Sequence, residues 1–150
     1  MKKKLFLLVL VLAVTVFLVG CGSSGISTTP VTDEVKVKSV IQEYFLAIND
    51  QNWSKAKGYC VYQSDQYYST SGFEDAANMI EQYYGNITIL TVANISNVSV
   101  NGSYANAFVS VNLVVTASYY YDSASVSGNY YLQKIGNNWK IYDGAGFASL

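Results

Sequence analysis

The chain predicts an α+β fold, with N-terminal helices followed by an antiparallel sheet of about four strands. Three observations carry that expectation. Apolar residues recur at helical spacing from Val37 to Ile48 and again from Phe73 to Tyr84. After Gly85 the period changes to two, and β-branched residues dominate. Turn signals then divide the remainder: Asn101-Gly102, Asp122-Ser123 and Gly136-Asn137-Asn138.

The first helix begins at Thr32, a good N-cap, with Asp33 and Glu34 in the positive first turn. Val37, Val40, Ile41, Tyr44, Phe45 and Ile48 form its apolar stripe, and Asn49-Asp50-Gln51-Asn52 breaks it. A second, shorter helix carries Trp53, Ala56 and Cys60 on one face. A third is expected from the capping-box spacing of Ser71 and Glu74, with Gly85 as its stop.

The strands follow. Ile87 to Val100 is the first, closed by the Asn101-Gly102 hairpin. Ala105, Ala107, Val109, Val111, Leu113, Val115, Ala117, Tyr119 and Tyr121 then share one face of a long half-buried strand, bent or bulged given its length. Asp122-Ser123 turns the chain, Val126 to Ile135 returns, and Trp139 to Tyr142 closes the sheet. The three Asn-x-Ser/Thr sequons at Asn86, Asn94 and Asn97 read as polar residues on the sheet's solvent side.

The N-terminus addresses the protein. Lys2-Lys3-Lys4 precede an apolar run from Leu5 to Val19, a secretory pattern too short to span a bilayer at 1.5 Å per residue. Leu18-Val19-Gly20-Cys21 resembles the lipobox of bacterial lipoproteins. The resemblance implies cleavage between Gly20 and Cys21 and acylation of the Cys21 sulfur, the chain's best nucleophile for alkylation as a thiolate. The expected organisation is a signal peptide over 1–20, a Gly/Ser/Thr tether over 21–31 and one domain over 32–150. About ten tether residues reach roughly 16–19 Å. The expected location is the extracytoplasmic face of the cell membrane, held by acyl chains.

Composition excludes other classes. The chain has nine lysines, no arginine and no histidine; without Lys2–Lys4, six lysines face ten carboxylates. An acidic chain without arginine is poorly suited to nucleic acid. With Cys21 acylated, Cys60 has no disulfide partner and reads as a small buried hydrophobe. No zinc-type cluster or glycine-rich phosphate loop occurs, so no metal or cofactor is implied.

The order of elements, the "NDQNWSKA" link, the "VNGSYANAFVSVNL" hairpin and the closing "NNWKIYD" resemble the nuclear-transport-factor-2-like superfamily, in particular its small lipoprotein domains. The resemblance covers roughly Thr32 to Asp143 and implies a cystatin-like cone whose interior often holds a ligand. It leads to a non-catalytic, lipid-anchored binding or accessory domain, with Tyr119, Tyr121, Tyr131 and Asp143 as ligand-facing candidates. Asp143 has a plainer role, opening the turn that ends the last strand, and the fourteen tyrosines are also favoured sheet residues. Two alternatives stand beside it: an isomerase or lyase of the ketosteroid-isomerase or polyketide-cyclase type, and a structural protein-interaction domain. Partners would be the membrane through the anchor and a small molecule, an envelope protein or a glycan.

Overall fold

The structure, a computed structural model, describes residues 30–145, so the signal segment, Cys21 and residues 146–150 lie outside it. Three helices, α1 (Asp33–Asn49), α2 (Trp53–Gly58) and α3 (Asp65–Tyr84), precede four strands. These are β1 (Thr88–Asn101), β2 (Tyr104–Ala117), β3 (Tyr120–Ile135) and β4 (Asn138–Asp143). They form one antiparallel sheet in the order β1-β2-β3-β4, curved and unclosed, with the helices on its concave side. Every core residue among those described lies between Val37 and Ile141, so a domain begun at Val31 carries its own core.

Helix α1 starts where expected. Thr32 is extended, and its hydroxyl accepts the Val35 N–H at 3.4 Å. Val37, Ile41, Tyr44, Phe45 and Ile48 of the stripe are buried. The Asn-rich break has a further role. Asn49 accepts the Thr91 N–H at 2.6 Å and the Thr91 hydroxyl at 2.7 Å, and Gln51 donates to the Ile87 carbonyl at 3.1 Å. The link between the first helices thereby satisfies edge groups of β1.

Helix α3 starts at Asp65, behind a Ser64 cap, and not at Ser71. The Ser64 hydroxyl accepts the Tyr67 N–H, while Ser71 lies inside the helix and donates to the Tyr67 carbonyl. Ser69-Thr70-Ser71-Gly72 are poor helix formers. Burial of Gln66, Thr70 and Phe73 against the core overrides that preference.

The sheet departs from expectation at one turn. Ala117 pairs with Tyr120, so β2 ends at a two-residue turn, Ser118-Tyr119, four residues before the expected Asp122-Ser123. Neither turn residue takes a positive φ. The other two hairpins carry glycine first, Gly102 at φ 60° and Gly136 at φ 61°, the arrangement that matches strand twist. A turn without Gly, Asn or Asp leaves no such mark in the sequence. Because antiparallel partners share a face, the inward odd-numbered residues of β2 oppose even-numbered residues of β3. The expected bend is real but lies elsewhere. Bulges interrupt β1 between Ser96 and Ser99, with Asn97 at φ 49°, and the β3–β4 pairing between Tyr131 and Leu132. Tyr59–Val61 pairs with Ile141 and covers the free edge of β4.

A buried polar network joins α1 to α3. The Tyr44 hydroxyl receives the Gln66 amide at 2.8 Å and lies 3.0 Å from the Thr70 hydroxyl, which donates to the Gln66 carbonyl at 2.7 Å. Tyr44→Phe leaves the Gln66 amide without its acceptor in a dry site. The expected loss is about 1–3 kcal/mol, read as a lower urea midpoint with unchanged m-value.

Candidate functional site

The cone's interior is largely occupied. Tyr44 meets Phe45 edge-on at 5.1 Å between centroids, and Phe45 meets Tyr130 at 5.9 Å. After β4 the chain turns across the concave face, and the Tyr130 hydroxyl donates to the Ala145 carbonyl at 3.0 Å. That crossing requires glycine: a Cβ on Gly144 would stand 2.7 Å from the Tyr130 ring and 2.8 Å from Gln66 Oε1.

The polar groups inside are neutral. Burial pushes the Tyr44 and Tyr130 phenols well above their ordinary values, and pushes the Cys60 thiol up to about 11. All three stay protonated at neutral pH. The interior is thus a core of neutral, hydrogen-bonded groups. Among the described residues, no group of three His, Cys, Asp or Glu side chains could hold a metal ion.

One of several hollows among the described residues lies at the mouth, between α3 and the sheet. A cleft of about 240 Å³ is walled by Phe73, Ala76, Met79 and Ile80 of α3 and by Val115 of β2. Tyr120 and Asp122 of β3 close it. They share the inward face because the Ser118-Tyr119 turn makes even-numbered β3 residues point in. Asp122 accepts the Ser123 N–H at 2.8 Å, and the Tyr120 hydroxyl stands 3.5 Å from its other oxygen. The Tyr120 ring lies against Tyr84 at 5.2 Å. Burial first, then the Asp122 charge, raises the Tyr120 phenol above its ordinary value. The cleft is therefore an apolar slot with one polar corner, an acceptor beside a phenol.

The candidates from sequence fall elsewhere. Tyr119 is 95% exposed at the turn, and Tyr121 is 70% exposed on the outer face opposite Thr116. Tyr131 is also on the outer face, beside Tyr142 at 6.1 Å. The expected inward orientation of these three is corrected by the parity the turn imposes. Asp143 has the plainer role: its carboxylate accepts the Gly144 N–H at 2.8 Å where the last strand ends. Gly20 and Cys21 lie outside the described residues. Reasoning from sequence missed Tyr120 and Asp122. The triplet Tyr119-Tyr120-Tyr121 signals that one ring faces inward, and only the turn position says which.

The sequence matches no protein-family model and no curated protein. Solved structures share its fold. An NTF2-like protein with a cystatin-like fold from Novosphingobium aromaticivorans superposes with TM-score 0.57 at 11% identity, over 73% of this chain and 77% of that one. A ketosteroid isomerase-like protein from Erwinia carotovora atroseptica gives 0.55 at 10% identity, over 71% and 88%. A protein of unknown function from Mycobacterium tuberculosis gives 0.51 at 18% identity, over 72% and 66%. The chain has the NTF2-like cone fold.

Cys60 is buried, and its sulfur lies 3.6 Å from the Ala56 carbonyl and 3.8 Å from the Thr70 hydroxyl. Thiol reagents should label it slowly in the folded domain and rapidly in denaturant. Equal rates in both conditions would contradict a protonated, enclosed thiol.

Proposed function

We propose that the chain is a lipid-anchored, extracytoplasmic binding domain that holds a small apolar molecule without transforming it. The observation that carries this reading is the mouth cleft. Its walls are aliphatic and aromatic, and Asp122 with Tyr120 offers a single corner for one hydrogen-bonding group. A slot of about 240 Å³ is below the usual 300–1,000 Å³ of drug-sized sites, which favours a fragment-sized ligand or the end of a longer one. A ligand hydroxyl or amine suits the corner, because the carboxylate accepts and the phenol can donate. The chain enters the domain at the start of α1, near Lys134, and the cleft opens beyond the other end of that helix.

The isomerase or lyase reading has one observation in its favour: a carboxylate beside a phenol in an apolar slot is a workable base and oxyanion donor. Against it, both Asp122 oxygens already have neighbours at the rim, and the Tyr120 phenol is raised, not activated. The solved ketosteroid isomerase-like protein shares the fold at 10% identity, which carries no activity to this chain.

Two measurements test the proposal. A panel of small apolar alcohols and amines is screened by thermal shift of the domain from Val31; a ligand at 100 times its Kd adds about 2.7 kcal/mol. Ala76→Phe, which fills the slot, should abolish that shift, and Asp122→Asn should weaken it about tenfold. Flat melting across the panel, or shifts indifferent to Ala76→Phe, would remove the cleft from consideration. For the anchor, Cys21→Ala should release the chain from the membrane fraction. An unacylated native peptide beginning at Cys21 would refute lipidation.

A further inference from the structure

The outer face of the sheet has a second, separate character. Its outward residues on β1 are Thr88, Leu90, Val92, Asn94 and Ser96, and on β2 the even-numbered positions from Tyr104 to Thr116. On β3 they are the odd-numbered positions from Tyr121 to Ile135. None of these residues is charged. Around Ser110, Asn112, Ser125 and Ser127 the centre carries hydroxyls and amides tied across strands, with the apolar side chains of Leu90, Val92, Phe108 and Ile135 exposed around them. Ser125 donates to Asn112 Oδ1 at 2.8 Å, and Ser127 donates to Ser110 at 2.9 Å. The first bond uses the Oδ1 of the exposed Asn112 amide, whose nitrogen carries two further donors. Tyrosines flank this centre, with Tyr121 and Tyr119 at one end and the Tyr131–Tyr142 pair with Tyr104 at the other. From Tyr121 to Tyr131 is ten residues of strand, roughly 33 Å at 3.3 Å per residue.

We infer that this face binds a neutral, linear polysaccharide laid along β2 and β3. The chemistry of the face selects the partner. A pyranose ring presents an apolar C–H face, which an exposed tyrosine ring matches, and hydroxyls that both donate and accept. Ser, Thr, Asn and Gln serve both roles, whereas Lys and carboxylates serve one each. Charge on this face is confined to β4, where Lys140 lies opposite Gln133 and Asp143 opposite Tyr131, so the β1–β3 surface offers nothing to nucleic acid, anionic lipid or a highly charged peptide. Rings about 33 Å apart suit an extended polymer better than a single small molecule. The face is on the far side of the sheet from the cleft, so this inference stands independently of the ligand proposed there.

The test is a titration of the ¹⁵N-labelled domain from Val31 with cellohexaose, chitohexaose, maltohexaose and laminarihexaose. At least one should shift amides of the outer face, among them Tyr121, Ser125, Asn129 and Tyr131, and leave α3 unmoved. Tyr121→Ala, at a side chain already in solvent, should retain the melting temperature and weaken binding about tenfold, the loss expected of one aromatic anchor. Ala76→Phe should leave the affinity unchanged, which separates this surface from the cleft. No shift with any of the four glycans would overturn the inference. So would shifts confined to the cleft, or sedimentation equilibrium showing a dimer that occupies the same face.

Discussion

The two-residue connection between β2 and β3 decides what this molecule can touch. Ser118-Tyr119 pairs Ala117 with Tyr120, and the pleat then propagates that choice along the full length of β3. Tyr120, Asp122, Ala124, Val126, Gly128, Tyr130 and Leu132 turn inward; Tyr121, Ser123, Ser125, Ser127, Asn129 and Tyr131 turn outward. A connection one residue longer would exchange the two sets. Tyr121 and Tyr131 would then enter the cone, Tyr130 would leave the core, and the charged corner at Asp122 would vanish from the cleft. The lining of the cleft and the composition of the outer face both follow from this single register.

The helices and two of the three hairpins were legible because their signals are local. Thr32 caps, Val37 to Ile48 repeats at helical spacing, and Gly85, Gly102 and Gly136 take the positive φ that glycine tolerates. Three features were not legible. The β2–β3 turn uses neither glycine nor a positive φ, so nothing in Ser118-Tyr119 distinguishes it from strand. The start of α3 lies in a Ser/Thr-rich segment whose helicity depends on burying Gln66 and Thr70 beneath Tyr44. The inward crossing at Gly144 depends on Tyr130 and Gln66, far away in sequence. In each case tertiary context decides what local propensity leaves open. The inward orientation expected of Tyr119, Tyr121 and Tyr131 failed for the same reason: it depended on where β2 turns into β3, and the actual turn reverses their parity.

The interior shows how a cone of this kind is closed without ionised groups. Tyr44, Gln66, Thr70, Cys60 and Tyr130 fill the space beneath the sheet with neutral donors and acceptors, most of them paired. Such a network is costly to leave half satisfied, and Gln66 Oε1 is indeed buried without a partner. It also holds α1, α3 and the end of β4 in fixed relation.

Charge is divided between the two sides of the domain. Carboxylates and lysines crowd the helical layer: Asp33, Glu34, Lys36, Lys38, Glu43, Lys55, Lys57, Glu74, Asp75 and Glu81. Several form ion pairs there, Lys57 with Glu74 at 2.7 Å and Lys55 with Glu43 at 3.4 Å. The outward positions of β1, β2 and β3 carry none. If the sheet face merely met solvent, occasional charges would be the ordinary way to keep its strands from pairing with other chains. Bulges at Ser96–Ser99 and beside Tyr131, together with the paired edge of β4, supply part of that protection by geometry. Solubility is left to the helices and to Lys140 and Asp143 of β4, while the outward positions of β1, β2 and β3 carry tyrosine, serine and asparagine beside exposed Leu90, Val92, Phe108 and Ile135.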